Sequence, residues 1–359
     1  RFGLLGLLAA FVLSSCAGTG APQSTAPQAP ERVLRAVTVN MPRSLDPTNI
    51  EAQRIINNGF AETLLLPLND GSVRPWLARS WKNLDPLTWQ VELQPNVKFW
   101  SGAPMDAAAV KASMLRFVEL SPTAKARLGD DAIEVKDPLT LEFRTKQPNP
   151  VFIYTFTAFP IHNAAEADKR GDSFASDPDL TGFMLVDKYV PGELVVAKPN
   201  PNYWGKKAQI DRFEIRQAAD PQARLLALRS GDADIDYNVE IDDHAQAKTL
   251  TNVDLYSYGL ITRNVWFNIA RVPAFADPTV RKAMSLAVDR QQLLQSIYQG
   301  TGQPPTGHFP PGLPYSLDSG GDSFDLSRAQ KLLDEAGYPP GSDGIRQKDG
   351  KRMSYGILT

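Results

Sequence analysis

A single cysteine, Cys16, is all the thiol chemistry this 359-residue chain carries. No intramolecular disulfide can form, so buried apolar surface has to hold the fold. Small secreted domains need disulfides because their cores are small, but a chain of this length buries enough of its surface to do without them. A hydrophobic content of 42%, with 9% aromatic residues, supplies the material. At ~100–200 residues per domain, the length suits two lobes or one large domain. Lysine plus arginine (38) nearly balance aspartate plus glutamate (40), and no basic stripe is present. That argues against a nucleic-acid partner.

Cys16 also closes an N-terminal signal. Arg1 precedes a run of apolar and small residues from Phe2 to Leu13, and Ser14 and Ser15 lead to the cysteine. A charged start, a short apolar stretch and small residues before a cleavage point make a secretory signal. The stretch is too short to span a bilayer, which needs about 20 residues as a helix. The pattern resembles a bacterial lipoprotein signal. The resemblance implies cleavage before Cys16, lipidation of its thiol, and attachment to the outer face of the cell membrane or residence in the periplasm. Residues 1–15 are thus the expected signal peptide. Residues 16–31, rich in Pro, Ala and small polar residues, are an expected flexible tether. No second long apolar run follows.

Beyond the tether, period-two and helical patterns interleave. Val33, Arg35, Val37 and Val39 alternate as a half-buried strand; Trp89, Val91 and Leu93 do the same, as do Leu139, Leu141 and Phe143, and Phe213 and Ile215. Ile55, Ile56, Phe60 and Leu64 fit one face of a helix. Asp106 is placed to cap a helix with Val110, Met114, Phe117 and Val118 on its apolar face. Asp220-Pro221 starts another that ends at Gly231, and Asp277-Pro278 a third running to Gly300. Asp325 starts a fourth, closed by Gly337. Strands interleaved with helices predict an α/β fold. The 29 prolines sit mostly in connections, and there is no internal repeat. The chain opens without methionine and stops in strand-like sequence, so a fragment is expected.

Catalytic and metal signatures are missing. The sequence has no HExxH, GxGxxG, P-loop or GxSxG motif. Its three histidines, His162, His244 and His308, lie far apart. Asp242-Asp243-His244 reads as a solvated turn rather than an acid–base cluster, and His308 as a packed loop residue. Asp130-Asp131 and the Asp232, Asp234, Asp236 series lack the spacing of a calcium loop; the latter reads as strand alternation. A secreted enzyme stays open as a function of another class, with no nominated catalytic residue, cofactor or metal site.

From Val33 to Thr359 the chain resembles the family 5 solute-binding proteins of ABC importers, which bind dipeptides, oligopeptides or nickel. The matching blocks occur in family order: Ser44-Leu45-Asp46-Pro47, Asp70 to Trp81, Leu87-Thr88-Trp89, Val97 to Gly102, Asn200 to Trp204, Phe267-Asn268, Asp277 to Ala283, Ala287 to Arg290, and Ala329 to Tyr338. Leu180-Thr181-Gly182-Phe183 departs from the family's usual Gly-Thr-Gly-Pro. The resemblance implies a two-lobed periplasmic-binding-protein-like α/β fold of the class II type with an incomplete second lobe. Residues 32–270 would form the first lobe, including the family's extra subdomain, and 271–359 the start of the second.

The resemblance also implies a function and a site. The expected role is capture of peptides between the lobes, without catalysis, and delivery to a permease driven by ATPase subunits. A nickel or metal-chelate ligand is the alternative within the family. Asn49, Glu51 and Gln53 follow Leu45-Asp46-Pro47 where relatives line the cleft, and Glu51 stands where oligopeptide binders carry a glutamate. Its other reading is a helix N-terminal acid. Phe159 and His162 fall in a segment that faces ligand in nickel-binding relatives, and Asn264, Trp266 and Asn268 in a strand where relatives place contacts. Trp100 beside Gly102 suits a cleft rim or a packed lid.

Overall fold

The computed structural model describes residues 30–49, 51–53, 58–128, 132–256, 262–310, 316–317 and 320–357. The expected signal, most of the tether, Cys16 and Asp130-Asp131 lie outside the described residues. The strands are β1 (Val33–Thr38), β2 (Leu65–Pro67), β3 (Val73–Pro75), β4 (Ala78–Asp85), β5 (Thr88–Leu93), β6 (Ala132–Asp137) and β7 (Thr140–Arg144). They continue with β8 (Met184–Val190), β9 (Leu194–Pro199), β10 (Arg212–Gln217), β11 (Ile235–Asp236), β12 (Gln347–Lys348) and β13 (Lys351–Arg352). The helices are α1 (Ala107–Leu120), α2 (Pro122–Leu128), α3 (Ala164–Arg170), α4 (Pro221–Ser230), α5 (His244–Ala247), α6 (Pro278–Leu286), α7 (Arg290–Ile297) and α8 (Leu326–Glu335). No helix among the described residues is long and apolar enough to cross a membrane.

One sheet has the order β11-β1-β10-β9-β8. β1 runs parallel to both β10 and β11, while β9 and β8 fold back antiparallel. Flanked by β11 and β10, β1 is buried on both faces at Ala36, Val37 and Thr38, and the core takes Leu34 and Ala36 rather than the expected Val33, Arg35, Val37 and Val39 set. Alternation read along one strand assumes a single wet face, which a central parallel strand lacks. Phe60 stacks on Phe213 at 6.3 Å in this core.

A second, antiparallel sheet has the order β4-β5-β7-β6. Val91, Leu93, Leu141 and Phe143 point into its core as their alternation implied. Val110, Met114 and Phe117 of α1 pack into the same core. The Asp106 carboxylate accepts the Ala109 N–H at 2.8 Å and fixes where α1 begins. Phe152 and Phe156 add aromatic contacts to Phe143, the first tilted and the second edge-on.

Residues 273–335 hold a smaller core. Ala283 and Leu286 of α6 meet Ala329 of α8, flanked by Leu332 and Leu333. The helix expected from Asp277 to Gly300 is two helices. α6 ends at Leu286, and the Asp289 carboxylate accepts the Gln292 N–H at 2.9 Å to begin α7. Phe60 and Leu64 are buried as expected, but in a turn and a bend rather than a helix. Ile55 and Ile56 lie outside the described residues.

Gly182 marks a close backbone approach. An added Cβ there would collide with the backbone of Gly59 and Phe60, while the Gly182 N–H donates to the Phe60 carbonyl at 3.0 Å. The Phe183 ring then lies over Gly59, which sits at φ 98° and leaves the ring its space. The departure from the family turn is thus accommodated by glycine in the facing turn.

Candidate functional site

Because β1, β10 and β11 are parallel, their carboxyl ends open on one edge. In open α/β sheets, ligands bind in the crevice outside such ends. Thr38 Oγ1 and the Val39 N–H both donate to Asn238 Oδ1, at 2.9 and 3.0 Å. Beneath them Arg224 of α4 is completely buried. It donates to the carbonyls of Ala218, Ala219 and Asn238 at 2.9, 3.0 and 2.7 Å, and its Nε reaches Asp236 at 3.2 Å. A buried ion pair offsets its desolvation only when the spare donors are also used, as they are here. Arg224 therefore ties the exits of β10 and β11 together. Asp234, for its part, accepts the Arg35 N–H at 2.8 Å, so the acidic series serves the sheet.

The chain leaving β1 turns at Leu45-Asp46-Pro47. Asp46 Oδ1 accepts the Thr48 N–H at 2.9 Å and the Thr48 hydroxyl at 2.7 Å. Arg116 of α1 grips the same carboxylate with two parallel bonds, 2.9 Å to Oδ1 and 2.6 Å to Oδ2. Burial works to raise the Asp46 pKa, but the Arg116 guanidinium and the Thr48 donors outweigh it and hold the carboxyl below its ordinary value. Arg116 Nη1 also lies 3.2 Å from His162 Nε2. A guanidinium only donates, so Nε2 accepts and Nδ1 carries the proton. Nδ1 faces Ser113 Oγ at 3.0 Å, and the His162 backbone N–H donates to that oxygen at 3.1 Å. Burial, followed by the charge of Arg116, pushes the imidazole down to about 4. An open depression of about 560 Å³ lies over this network, rimmed by Ser44, Asp46, Arg116, Glu119, Asp168 and Asp172.

The expected site residues divide into three groups. Asn49 lies in the turn after Asp46, and Glu51 and Gln53 are helical residues just beyond it, which suits the reading of Glu51 as a helix N-terminal acid. Asn49 and Glu51 are exposed, Asn49 Oδ1 accepts the Glu51 N–H at 2.9 Å, and Gln53 donates to the Pro47 carbonyl at 3.2 Å. Trp100 is half-buried against the first sheet's core, with its indole N–H donating to the Gly182 carbonyl at 3.1 Å. Phe159 and His162 are interior: Phe159 packs on Phe117 at 5.1 Å, and His162 has no exposed surface. The expectation of a ligand-facing His162 is corrected accordingly, since both of its ring nitrogens are engaged within the protein. Asn264, Trp266 and Asn268 are exposed, and residues 262–268 carry no strand pairing, contrary to expectation. Trp266 is 78% exposed and stands edge-on to His308 at 5.6 Å. His308 is itself exposed, not packed.

One buried acid went unnoticed in the sequence. Glu62 is 1% exposed and accepts the Tyr203 hydroxyl at 2.6 Å and the Trp204 indole N–H at 3.2 Å. Burial pushes its pKa up, although these hydrogen bonds work the other way. The Asn200 to Trp204 block was visible, but its partner lies 141 positions earlier. Among the described residues, no group of three or more His, Cys, Asp or Glu side chains is placed to hold a metal ion.

A parallel-edged sheet carrying an organised turn at its carboxyl edge, beside a second α/β unit, defines a lobe of the periplasmic-binding-protein type. The chain belongs to the bacterial extracellular solute-binding proteins, family 5, whose profile matches residues 72–356. It is 29% identical over 308 residues to the glutathione-binding protein GsiB of Salmonella paratyphi A, covering 83% of this chain and 60% of that protein. The structure of a nickel ABC transporter protein from Bacillus halodurans matches with a TM-score of 0.65 at 29% identity, covering 89% of this chain and 66% of that one. The periplasmic binding protein DppA from Helicobacter pylori, solved with the peptide STSA, matches with a TM-score of 0.71 at 26% identity, covering 86% and 67%. The chain thus spans 60% of the glutathione-binding relative's own length.

Proposed function

We propose that this chain belongs to the substrate-binding protein of an ABC importer and captures short peptides, which it delivers to a membrane permease worked by ATPase subunits. The observation that carries this reading is the likeness, across more than four-fifths of the chain, to one relative named for glutathione and another solved with a tetrapeptide. Glutathione is itself a short peptide, so the two point to one ligand class. The exposed polar side chains of Asn49 and Glu51, in the segment that follows β1, suit a polar, flexible ligand. In this reading residues 32–270 act as one lobe and 271–359 begin the other, closing by hinge motion. Cys16 carries the lipid that holds the protein at the outer face of the membrane. The chain performs no reaction.

A nickel chelate is the second reading, favoured by the match to the Bacillus halodurans nickel transporter protein. Calorimetry of the full unlipidated chain separates the two. Heat with glutathione or the peptide Ser-Thr-Ser-Ala, and none with nickel plus histidine, supports the peptide reading. The reverse result replaces it with the chelate. Heat with neither removes both.

A further inference from the structure

The links Ser113–His162–Arg116–Asp46–Thr48 form one continuous path from the interior to the turn that bears Asn49 and leads into the helical residues Glu51 and Gln53. The sequence placed Asp46 at the turn but gave Ser113, His162, Arg116 and Thr48 no part in organising it. We propose that Arg116, oriented by the neutral, Nδ1-protonated imidazole of His162, is the positioning residue that holds this turn ready for its ligand. The purpose of the turn rests on the peptide reading above; the brace itself rests on geometry.

Three contacts fix the guanidinium. The fork to Asp46 sets its plane, and the third donor to His162 Nε2 sets its direction. The Phe174 ring supports it at 5.3 Å. With its position set, Arg116 sets that of Asp46, and Asp46 Oδ1 in turn receives both Thr48 donors. Among the described residues, the segment's other bonds include local ones, from Glu51 to Asn49 and from Gln53 to Pro47, and one backbone tie to a distant part of the chain, the Leu45 N–H donating to the Ala175 carbonyl at 2.7 Å before the turn begins. Without the brace, the binding-competent geometry becomes one of several. Apparent affinity then falls in proportion to the competent fraction. A binding site needs this kind of support behind the residues that touch ligand.

Histidine meets two demands at position 162. Its ring packs edge-on to Phe117 at 5.4 Å and against Phe174 at 6.0 Å. Its Nε2 also accepts from Arg116. Phenylalanine would keep the packing and lose the acceptor, whereas glutamine would keep an acceptor and lose part of the packing. The two substitutions therefore pull the roles apart.

The test uses the full chain, with Ser-Thr-Ser-Ala and glutathione as probes and amide exchange measured without ligand. His162→Phe is expected to weaken probe affinity about tenfold, by lowering the competent fraction. It should speed exchange at the Thr48 amide while leaving the Val91 amide in the second sheet unchanged. His162→Gln should keep affinity within about threefold of the parent. If His162→Phe does not fold, Arg116→Lys, which keeps charge but loses the fork, should show the same loss at Thr48. Imidazole nitrogen shifts should report the Nδ1–H tautomer. Unchanged Thr48 exchange, equal acceleration at Val91, or an Nε2–H tautomer would each overturn the proposal. If the parent chain binds no probe, the peptide reading fails while exchange and tautomer still decide the brace.

Discussion

Residues 33–243 and residues 262–357 use the same local devices and reach different results. Both regions start helices with aspartate caps, Asp106 and Asp220 in the first and Asp277, Asp289 and Asp325 in the second. The first region closes two cores rich in phenylalanine, leucine and valine. The second closes one around Ala283, Leu286 and Ala329. Val265, Trp266, Ile269, Ile297, Leu317 and Ile357 are all more than half exposed there. α7 sharpens the contrast: its cap bond is 2.9 Å, yet none of its residues is buried. Caps decide where a helix begins, but most helix stability in a protein comes from packing an apolar face. Of the two regions, the first therefore carries the fold.

The comparison would be broken most directly at Gly182. Gly182→Val drives a branched side chain into the Gly59–Phe60 backbone. We expect a loss of more than about 4 kcal/mol in urea unfolding, the size reserved for severe steric lesions. A variant with the parent midpoint would show that this approach is not fixed. Arg224→Met comes next, stranding Asp236 and three carbonyls in the interior. About 3–5 kcal/mol should be lost, as when one partner of a buried pair is removed.

The third prediction concerns pH. The His162 imidazole titrates at about 4 in the fold against 6.5 in a free chain. Between those values the unfolded chain binds the extra proton, so stability falls as pH drops. The difference between parent and His162→Gln should change by about 3 kcal/mol across that window. Equal pH slopes in the two proteins would mean the imidazole is not enclosed. The smallest effect belongs to the second region. Leu286→Ala should cost about 2 kcal/mol, the low end for leucine truncation, because so small a core can collapse around the gap. The loss should appear in exchange at α6 and α8 amides and leave β5 amides unmoved.

What could be read from sequence follows from range. Asp106, Asp220 and Asp325 cap as expected because each bonds a donor three positions away. The edges of β5 and β7 were legible because one face of each is wet. The phase of β1 was not, because burial on both faces erases alternation. The helix across 277–300 was drawn too long because Asp289 was not weighed as a second cap. At the site, the turn at Asp46 was legible as a family block, and Asn49 and Glu51 beyond it are exposed. The brace behind it was not, since Arg116 meets Asp46 across 70 positions and His162 across 46. Glu62 was hidden for the same reason.

The parallel pairing of β1 also has a consequence in time. Arg32 and Asp211, which close the start of the β1–β10 ladder, are 179 positions apart. At a synthesis rate of about 5–20 residues per second, the earliest strand of the chain waits roughly 9–36 seconds for its neighbour. β4, β5, β6 and β7 leave the ribosome during that interval with their antiparallel partners close behind them. The sheet that carries the site is thus assembled after the antiparallel β4–β7 sheet, and Leu34, Ala36 and Val37 spend that interval as uncovered apolar surface that a holding chaperone would recognise.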